Sequence, residues 1–320
     1  MNHHLSMGRV NRRQFLGGAL AGLGLSGIGP ALSAAESAAP LLPTIRWGSH
    51  DLTRLLVGHN PIKGISHQSA ALSQEMRDYF AADPGRSVQL LRRCELMGIN
   101  ACQMGCRPSE PFIEEMLRRH YDEGGRLKWI ASFYSLPQEA QEVRKELAHL
   151  LRMTPRPIGI QQVGNTSDYL MRTGRVNLTQ DNLKRLRDSG LLVGMGAHNH
   201  EVIDYAESQG WDVDFYQCSL YRSAFSLRDE ERGREVFEEE ARESMTRTIR
   251  QVSKPCIAFK VLGAGRHCQS AQTIESALRY AFGHIKPNDV VLVGMWQKHL
   301  DQVGHNVRLV RRILTAASTG

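Results

Sequence analysis

The sequence has no apolar run long enough to cross a bilayer. Its most hydrophobic stretch, "FLGGALAGLGLSGIGPALSAA" from Phe15 to Ala35, is interrupted by glycines and Pro30, and its apolar residues fall short of the roughly 20 a spanning helix needs. Aromatic residues make up only 7% of the chain, and no basic run is interleaved with them, which argues against nucleic-acid binding. No Pro/Ser-rich linker or low-complexity tract divides the chain. The six cysteines (Cys94, Cys102, Cys106, Cys218, Cys256 and Cys268) follow no zinc spacing; most lie in apolar segments and read as buried thiols. Cys102 and Cys106, spaced C-x3-C, are one weak metal alternative and His198 with His200 another, and no metal ligands are assigned.

What the N-terminus does have is a leader. Arg12 and Arg13 precede the modest apolar stretch, and small residues follow it, the layout of a twin-arginine secretory signal. Ser33 and Ala35 suit the −3 and −1 positions of a peptidase site, so cleavage is expected near Ala35. Residues 1–35 are then the signal peptide and 36–320 one mature domain, periplasmic or secreted and free of the membrane after cleavage. Twin-arginine substrates generally fold before export, so an oxidising destination implies no disulfides. Loss of Arg9, Arg12 and Arg13 lowers the formal charge from +7 to +4, too mild to direct the chain to a polyanion.

The rest repeats one unit: a short apolar run, a loop, an amphipathic helix. The strand candidates are "RLLVGHN", "NACQMG", "KWIASF", "IGIQQVG", "LLVGMGAH", "DFYQCSLY", "CIAFKVLGAG" and "DVVLVGMW". Helical patterns such as "PQEAQEVRKELAHLLRM" and "TIESALRYAFGHI" lie between them. Alternation of this kind predicts parallel strands with crossover helices. Eight repeats fit an α/β fold of the closed (β/α)8 TIM-barrel type, in which reactive groups sit at the C-terminal strand ends.

Strand parity then selects residues. In "LLVGMGAH", Leu191, Val193 and Met195 suit the helix side, so Gly194, Gly196 and His198 point inward. Asn199 reads as an N-cap, which puts His200 in the first helical turn and separates the two histidines. In "CIAFKVLGAG", Ile257, Phe259 and Val261 are expected to face the helices and Lys260 the barrel. An inward lysine must be paired or have its pKa lowered, which suits an anion partner, a carbonyl or a Schiff base; the structural alternative is an ion pair with an acid such as Asp214. His198 and Lys260 are thus the catalytic candidates. Arg266, His59, Gln161, Tyr216, Gln217 and Tyr221 are rim candidates for substrate binding. The long segment after the first strand is expected to cover the mouth and bring His67. "SLYRSAFSLRDEERGREVFEEE" reads as a second long loop with a solvated charge run.

Several stretches together resemble the aldo/keto reductase superfamily, nicotinamide-dependent (β/α)8 barrels. "CRPSEPFIEEML" is similar to their Ser-Glu helix entry after the second strand, and "GLLVGMGAHNHEVIDYA" to their Gly-Val-Ser-Asn stretch. "VDFYQCSLY" resembles their strand with a glutamine and a tyrosine, "AFKVLGAG" their Pro-Leu-Gly turn, and "VLVGMWQKHLDQVGHN" their cofactor-binding last strand and helix. The catalytic Asp, Tyr, Lys and His that the resemblance implies are not retained. Their positions hold Ala101, Cys106, Phe133, and Gln161 with Gln162. Ala197 stands where an asparagine would hold the nicotinamide amide, leaving Gln217 and Tyr221 for that contact. The usual proton donor cannot be assembled. NAD(P) is compatible with the resemblance but not supported by these residues, so no cofactor is assigned.

Three functions follow from this reading. The first is an exported enzyme using Lys260 and His198 on a carbonyl- or sugar-like small molecule, by lyase, isomerase or hydrolase chemistry. The second is a divergent NAD(P)-dependent oxidoreductase with a relocated donor, and the third a non-catalytic small-molecule binding protein. The twin-arginine export machinery is the expected macromolecular partner. Changing Arg12 and Arg13 together to Lys is expected to abolish translocation and leave the leader attached, read from periplasmic yield and the mature N-terminus near Glu36; unchanged yield would remove the twin-arginine assignment.

Overall fold

The computed structural model describes residues 39–222 and 237–318. The expected signal peptide and most of the second long loop lie outside the described residues. A closed barrel of eight parallel strands is built from β3 (Leu55–Gly58), β4 (Ala101–Met104), β5 (Lys128–Phe133), β6 (Gly159–Gln162), β7 (Leu192–Ala197), β8 (Phe215–Ser219), β9 (Cys256–Phe259) and β10 (Val290–Gly294). They neighbour one another in chain order and β10 pairs with β3 to close the ring. All eight coincide with the expected apolar runs, and the fold is the (β/α)8 barrel the alternation predicts.

Helices cover the outside. The long segment after β3 contains α1 (Ala70–Ala82) and runs into α2 (Gly85–Leu96), which coincides with the helical pattern "SVQLLRRCELMG". Ser69 starts α1 by accepting the Leu72 N–H at 3.1 Å, satisfying a donor that a helix start leaves open. Helices α3 (Pro111–Asp122), α4 (Ala140–Arg152), α5 (Gly164–Arg172), α6 (Asn177–Arg187), α7 (His200–Ser208), α8 (Glu239–Gln251), α9 (Ala271–His284) and α10 (Gln302–Ser318) complete the layer. Among the described residues, none is long and apolar enough to cross a membrane.

Before the barrel comes an antiparallel hairpin of β1 (Thr44–Trp47) and β2 (His50–Thr53) that the strand pattern did not reveal. Its Trp47 and Leu52 join the apolar interior formed by Leu56, Ala101, Ile130, Phe215, Ile257 and Leu292. Trp47 lies 5.2 Å from the Phe215 ring and donates its indole N–H to the Asn288 carbonyl at 3.2 Å. The hairpin thus plugs one end of the barrel. Along the same inward rows, two residues on, side chains turn polar: Gln103, Ser132, Gln161 and Gln217. These polar inward side chains thus lie toward the C-terminal strand ends.

Row parity agrees with expectation in β7, where Val193 and Met195 pack outward with the helices and Gly194 adjoins Phe215 inside. In β9 it is reversed. Ile257 belongs to the interior cluster, Phe259 packs against it, and Cys256 and Ala258 face the helices. A strand apolar on both faces carries no alternation, so "CIAF" gives no parity to read. Lys260 follows the strand instead, with a φ of 57°, a left-handed conformation uncommon outside glycine. Asp214 is not its partner: it pairs with Arg187 at 2.6 Å and accepts the Val193 N–H at 2.7 Å, beside the start of β8. Tyr216 also needs correcting. β8 alternates Phe215 and Gln217 inward, so Tyr216 turns to the helix layer and donates to Glu207 at 2.8 Å.

Candidate functional site

The opening of β7 into α7 builds the centre of the site. His198, just past the strand, is 9% exposed, and its Nδ1 lies 2.8 Å from Asp168 Oδ2 on α5. The same carboxylate accepts the backbone N–H of His198 at 3.0 Å and of Asn199 at 3.2 Å. Gly164 at the start of α5 makes room for this: a Cβ there would lie 2.9 Å from His198 Nδ1. Phe259 meets the imidazole edge-on at 5.3 Å. Burial is the main cause that lowers the His198 pKa below 6.5; Asp168 opposes it, while Lys260 and His67 lower it further. The ring is neutral at neutral pH. With Nδ1–H donated to Asp168, Nε2 carries the lone pair.

His200 goes elsewhere. Asn199 caps α7 by accepting the Glu201 N–H at 3.2 Å, and His200 pairs with Asp204 at 3.0 Å on the outer surface. The His-Asn-His stretch is a strand end followed by a cap, with one histidine on each side of the wall.

A ring of cationic and aromatic groups lies beside His198. Phe237 is its hub: Lys260 Nζ is 5.8 Å and the Arg266 guanidinium 3.6 Å from the ring, and Tyr221 packs at 5.4 Å. The Tyr221 hydroxyl and His267 Nε2 are 2.8 Å apart. Arg266 also donates to the His67 carbonyl at 3.3 Å, so the segment after β3 does reach across to the turn after β9. Gln161 and Gln217 are buried, and among the described residues neither carboxamide oxygen has a hydrogen-bond partner.

At the ends of β3 to β5 is a second polar cluster that sequence reasoning found only through His59. His59 Nδ1 donates to the Gln103 carbonyl at 3.1 Å, and burial lowers its pKa to about 4, with Lys63 adding to the effect. Tyr134, the first residue after β5, is fixed by Glu146, which accepts the N–H of Tyr134 at 3.0 Å and of Ser135 at 2.8 Å. A Cβ at Gly105 would run into the Tyr134 hydroxyl and lie 3.2 Å from His59 Nε2, so both polar atoms overhang this glycine. The Arg107 guanidinium carbon sits over the Tyr134 ring, 3.9 Å from its centroid, and Lys63 pairs with Glu110 at 2.6 Å. The signal available in the sequence was a tyrosine immediately following a barrel strand. The neighbouring Cys106 is buried, 3.5 Å from His149 Nε2, and burial pushes its thiol up to about 12, the behaviour of an inert cysteine.

No protein-family model matches the sequence, and no curated protein matches it. Solved structures share its fold. A Pseudomonas aeruginosa protein named as an aldo-keto reductase is 14% identical with a TM-score of 0.59, over 89% of this chain and 100% of its own. A thermostable aldo-keto reductase in complex with the inhibitor epalrestat is 12% identical with a TM-score of 0.53, over 86% and 99%. A Klebsiella pneumoniae aldo/keto reductase in complex with NADP and acetate is 13% identical with a TM-score of 0.51, over 87% and 95%. At such identities the likeness is one of fold: the barrel is aldo/keto reductase-like.

Whether a nicotinamide dinucleotide fits depends on donors for its phosphates. Helix N-termini and glycine turns supply them when their N–H groups are open. Here Asp301 accepts the Gly304 N–H at the start of α10 at 2.9 Å and pairs with Arg93 at 3.0 Å. Burial alone would raise its carboxyl, but Arg93, Gln297 and that N–H hold it at about 2. The N–H groups of Gly263, Gly265, Arg266 and His267 in the turn after β9 are spent on carbonyls of the same turn. A carboxylate stands where a phosphate would need donors, and these residues do not fit the group. Among the described residues no group of three His, Cys, Asp or Glu side chains is placed to hold a metal.

Asp168 is the residue on which this site's geometry turns. Replacing it with Asn removes the charge that three donors share, so Asp168→Asn is expected to lower stability by about 1.5–3 kcal/mol, the worth of hydrogen bonds to a charged group, while His200→Ala stays within roughly 0.5 kcal/mol of wild type. Denaturant melts of the two variants check this; equal stability would mean that Asp168 does not organise the rim.

Proposed function

We propose that the protein is an exported enzyme that moves a proton on a small carbonyl- or sugar-like molecule, with His198 as general base and Lys260 as the adjacent cation. The observation that carries this reading is the buried Asp168–His198 pair at a barrel strand end, 2.8 Å from Oδ2 to Nδ1. A carboxylate that fixes Nδ1–H leaves Nε2 as the proton acceptor, and it stabilises the imidazolium formed when the proton arrives. A lowered pKa keeps the ring in the basic form over the neutral range.

In the step we envisage, Nε2 takes the proton from the carbon beside a carbonyl. The electron pair moves onto the carbonyl oxygen, where the Lys260 ammonium supplies countercharge. The proton returns to the same carbon or, where that carbon bears a hydroxyl, to the former carbonyl carbon while the hydroxyl proton passes to the former carbonyl oxygen. Atoms and charge balance without a redox partner, in keeping with phosphate donors already spent at the starts of the last turn and helix. The alternative, a divergent oxidoreductase, rests on the aldo/keto reductase-like fold alone. A binding protein without turnover is the outcome to be excluded.

Incubating the protein in deuterated water with a panel of hydroxy-ketones, aldoses and keto acids tests the proposal. Wild type is expected to place deuterium next to the carbonyl of at least one of them. His198→Ala should slow this 10²–10⁴-fold, the usual contribution of a positioned acid–base group, and Lys260→Met should slow it while leaving the barrel folded. Exchange unaffected by His198→Ala would overturn the assignment. Ligand binding without exchange across the panel would make the protein a binding module.

A further inference from the structure

We propose that Arg107, laid on Tyr134, binds the anionic group of the small molecule, so that the substrate is a hydroxyl-bearing carboxylate or phosphate, not a neutral sugar. Naming the substrate rests on the reading above; the presence of an anion site does not.

The argument starts from charge. Two cations, Lys63 and Arg107, and two carboxylates, Glu110 and Glu146, meet around Tyr134, and Glu146 is spent on the Tyr134 and Ser135 N–H groups and the Ser135 hydroxyl. Lys63 is neutralised: its side chain is only 9% exposed and its Nζ is 2.6 Å from Glu110. Arg107 is not. Among the described residues no carboxylate pairs with it, and its buried Nε has no hydrogen-bond partner. A guanidinium presents five donors in a planar fork suited to carboxylate and phosphate oxygens. Stacking on an aromatic face holds that plane in place before any ligand arrives.

Two neutral groups face the same spot. Tyr134 keeps its proton, since burial pushes its hydroxyl up to about 12, and Ser132 and Arg107 only partly offset this. His59, with Nδ1–H committed to the Gln103 carbonyl, turns an unprotonated Nε2 toward Gly105 beside that hydroxyl. An acceptor nitrogen next to a cation would repel the oxygens of a bare anion and favours a ligand that also carries an O–H. One anionic group for Arg107 and one hydroxyl for His59 describe a hydroxy acid or a sugar phosphate. Gly105 is required here because any side chain would displace the Tyr134 hydroxyl.

The test is titration calorimetry of the folded full-length mature chain with gluconate, acetate, glucose and inorganic phosphate. Gluconate or phosphate is expected to bind, glucose weakly or not at all, and the stronger of the two anions identifies whether the carboxylate or the phosphate is read. Arg107→Gln should weaken that anion at least about tenfold. Arg107→Lys, which keeps the charge without the planar fork, should fall between, and a thermal melt confirms that each variant is folded. His59→Ala should reduce the preference for gluconate over acetate. His198→Ala should leave anion binding unchanged; that result with no turnover in wild type would discard the catalytic reading and keep this one. Failure of every anion to bind wild type, or equal binding to Arg107→Gln, would overturn the proposal. Loss of anion binding in Lys260→Met but not in Arg107→Gln would move the site to the ring around Phe237 and also overturn it.

Discussion

One carboxylate organises the mouth of this barrel. Asp168 takes two backbone N–H groups and an imidazole from the end of β7, and it does so from a helix that enters through Gly164 against the same ring. Backbone and side chain are held by the same two oxygens, so the direction of the His198 lone pair is set by the chain's own path. Burial makes the neutral imidazole the preferred form, and the carboxylate decides which nitrogen keeps the proton. A base of defined tautomer is what remains once both constraints are met. The plugged opposite end, with Trp47 and Leu52 against Phe215, leaves this mouth as the place where polar inward rows meet solvent.

The site divides into two sides. Around Phe237, cations and aromatics from the turns after β8 and β9 gather beside His198; over Gly105, His59, Tyr134 and Arg107 come from β3, β4 and β5. Helix α5 ties them, since Thr166 donates to the Tyr134 carbonyl at 3.3 Å while Asp168 holds His198. At the positions where the resemblance expects the reductase residues this chain holds Ala101, Cys106 and Phe133, and at the start of α10 Asp301 accepts the Gly304 N–H. A shared barrel does not by itself fix function.

Much of the fold was legible because barrel strands are short apolar runs between amphipathic helices, and eight such runs leave little choice of architecture. Parity was legible in β7, where two glycines and a histidine share a row, and illegible in β9, where both faces are apolar. Lys260 stands in a left-handed turn after β9 that no alternation encodes. Tyr216 was misplaced because a tyrosine beside a glutamine looks like a rim pair until Phe215 is known to fill the interior. Asp168 lay in "GNTSDYLMR", a stretch with too few apolar residues to stand out as a helix. Arg107 and Tyr134 come from loops after different strands, and only their stacking gives either one meaning. The hairpin was invisible because "TIRW" and "HDLT" mix charged and apolar residues and contain no apolar run.

The most direct measurement of the central claim is the nitrogen-15 spectrum of His198 as a function of pH. The account predicts a neutral imidazole at pH 7 with the proton on Nδ1, Nε2 unprotonated, and a titration midpoint below the ordinary value of about 6.5. A ring protonated on Nε2, or an imidazolium persisting at pH 7, would contradict it.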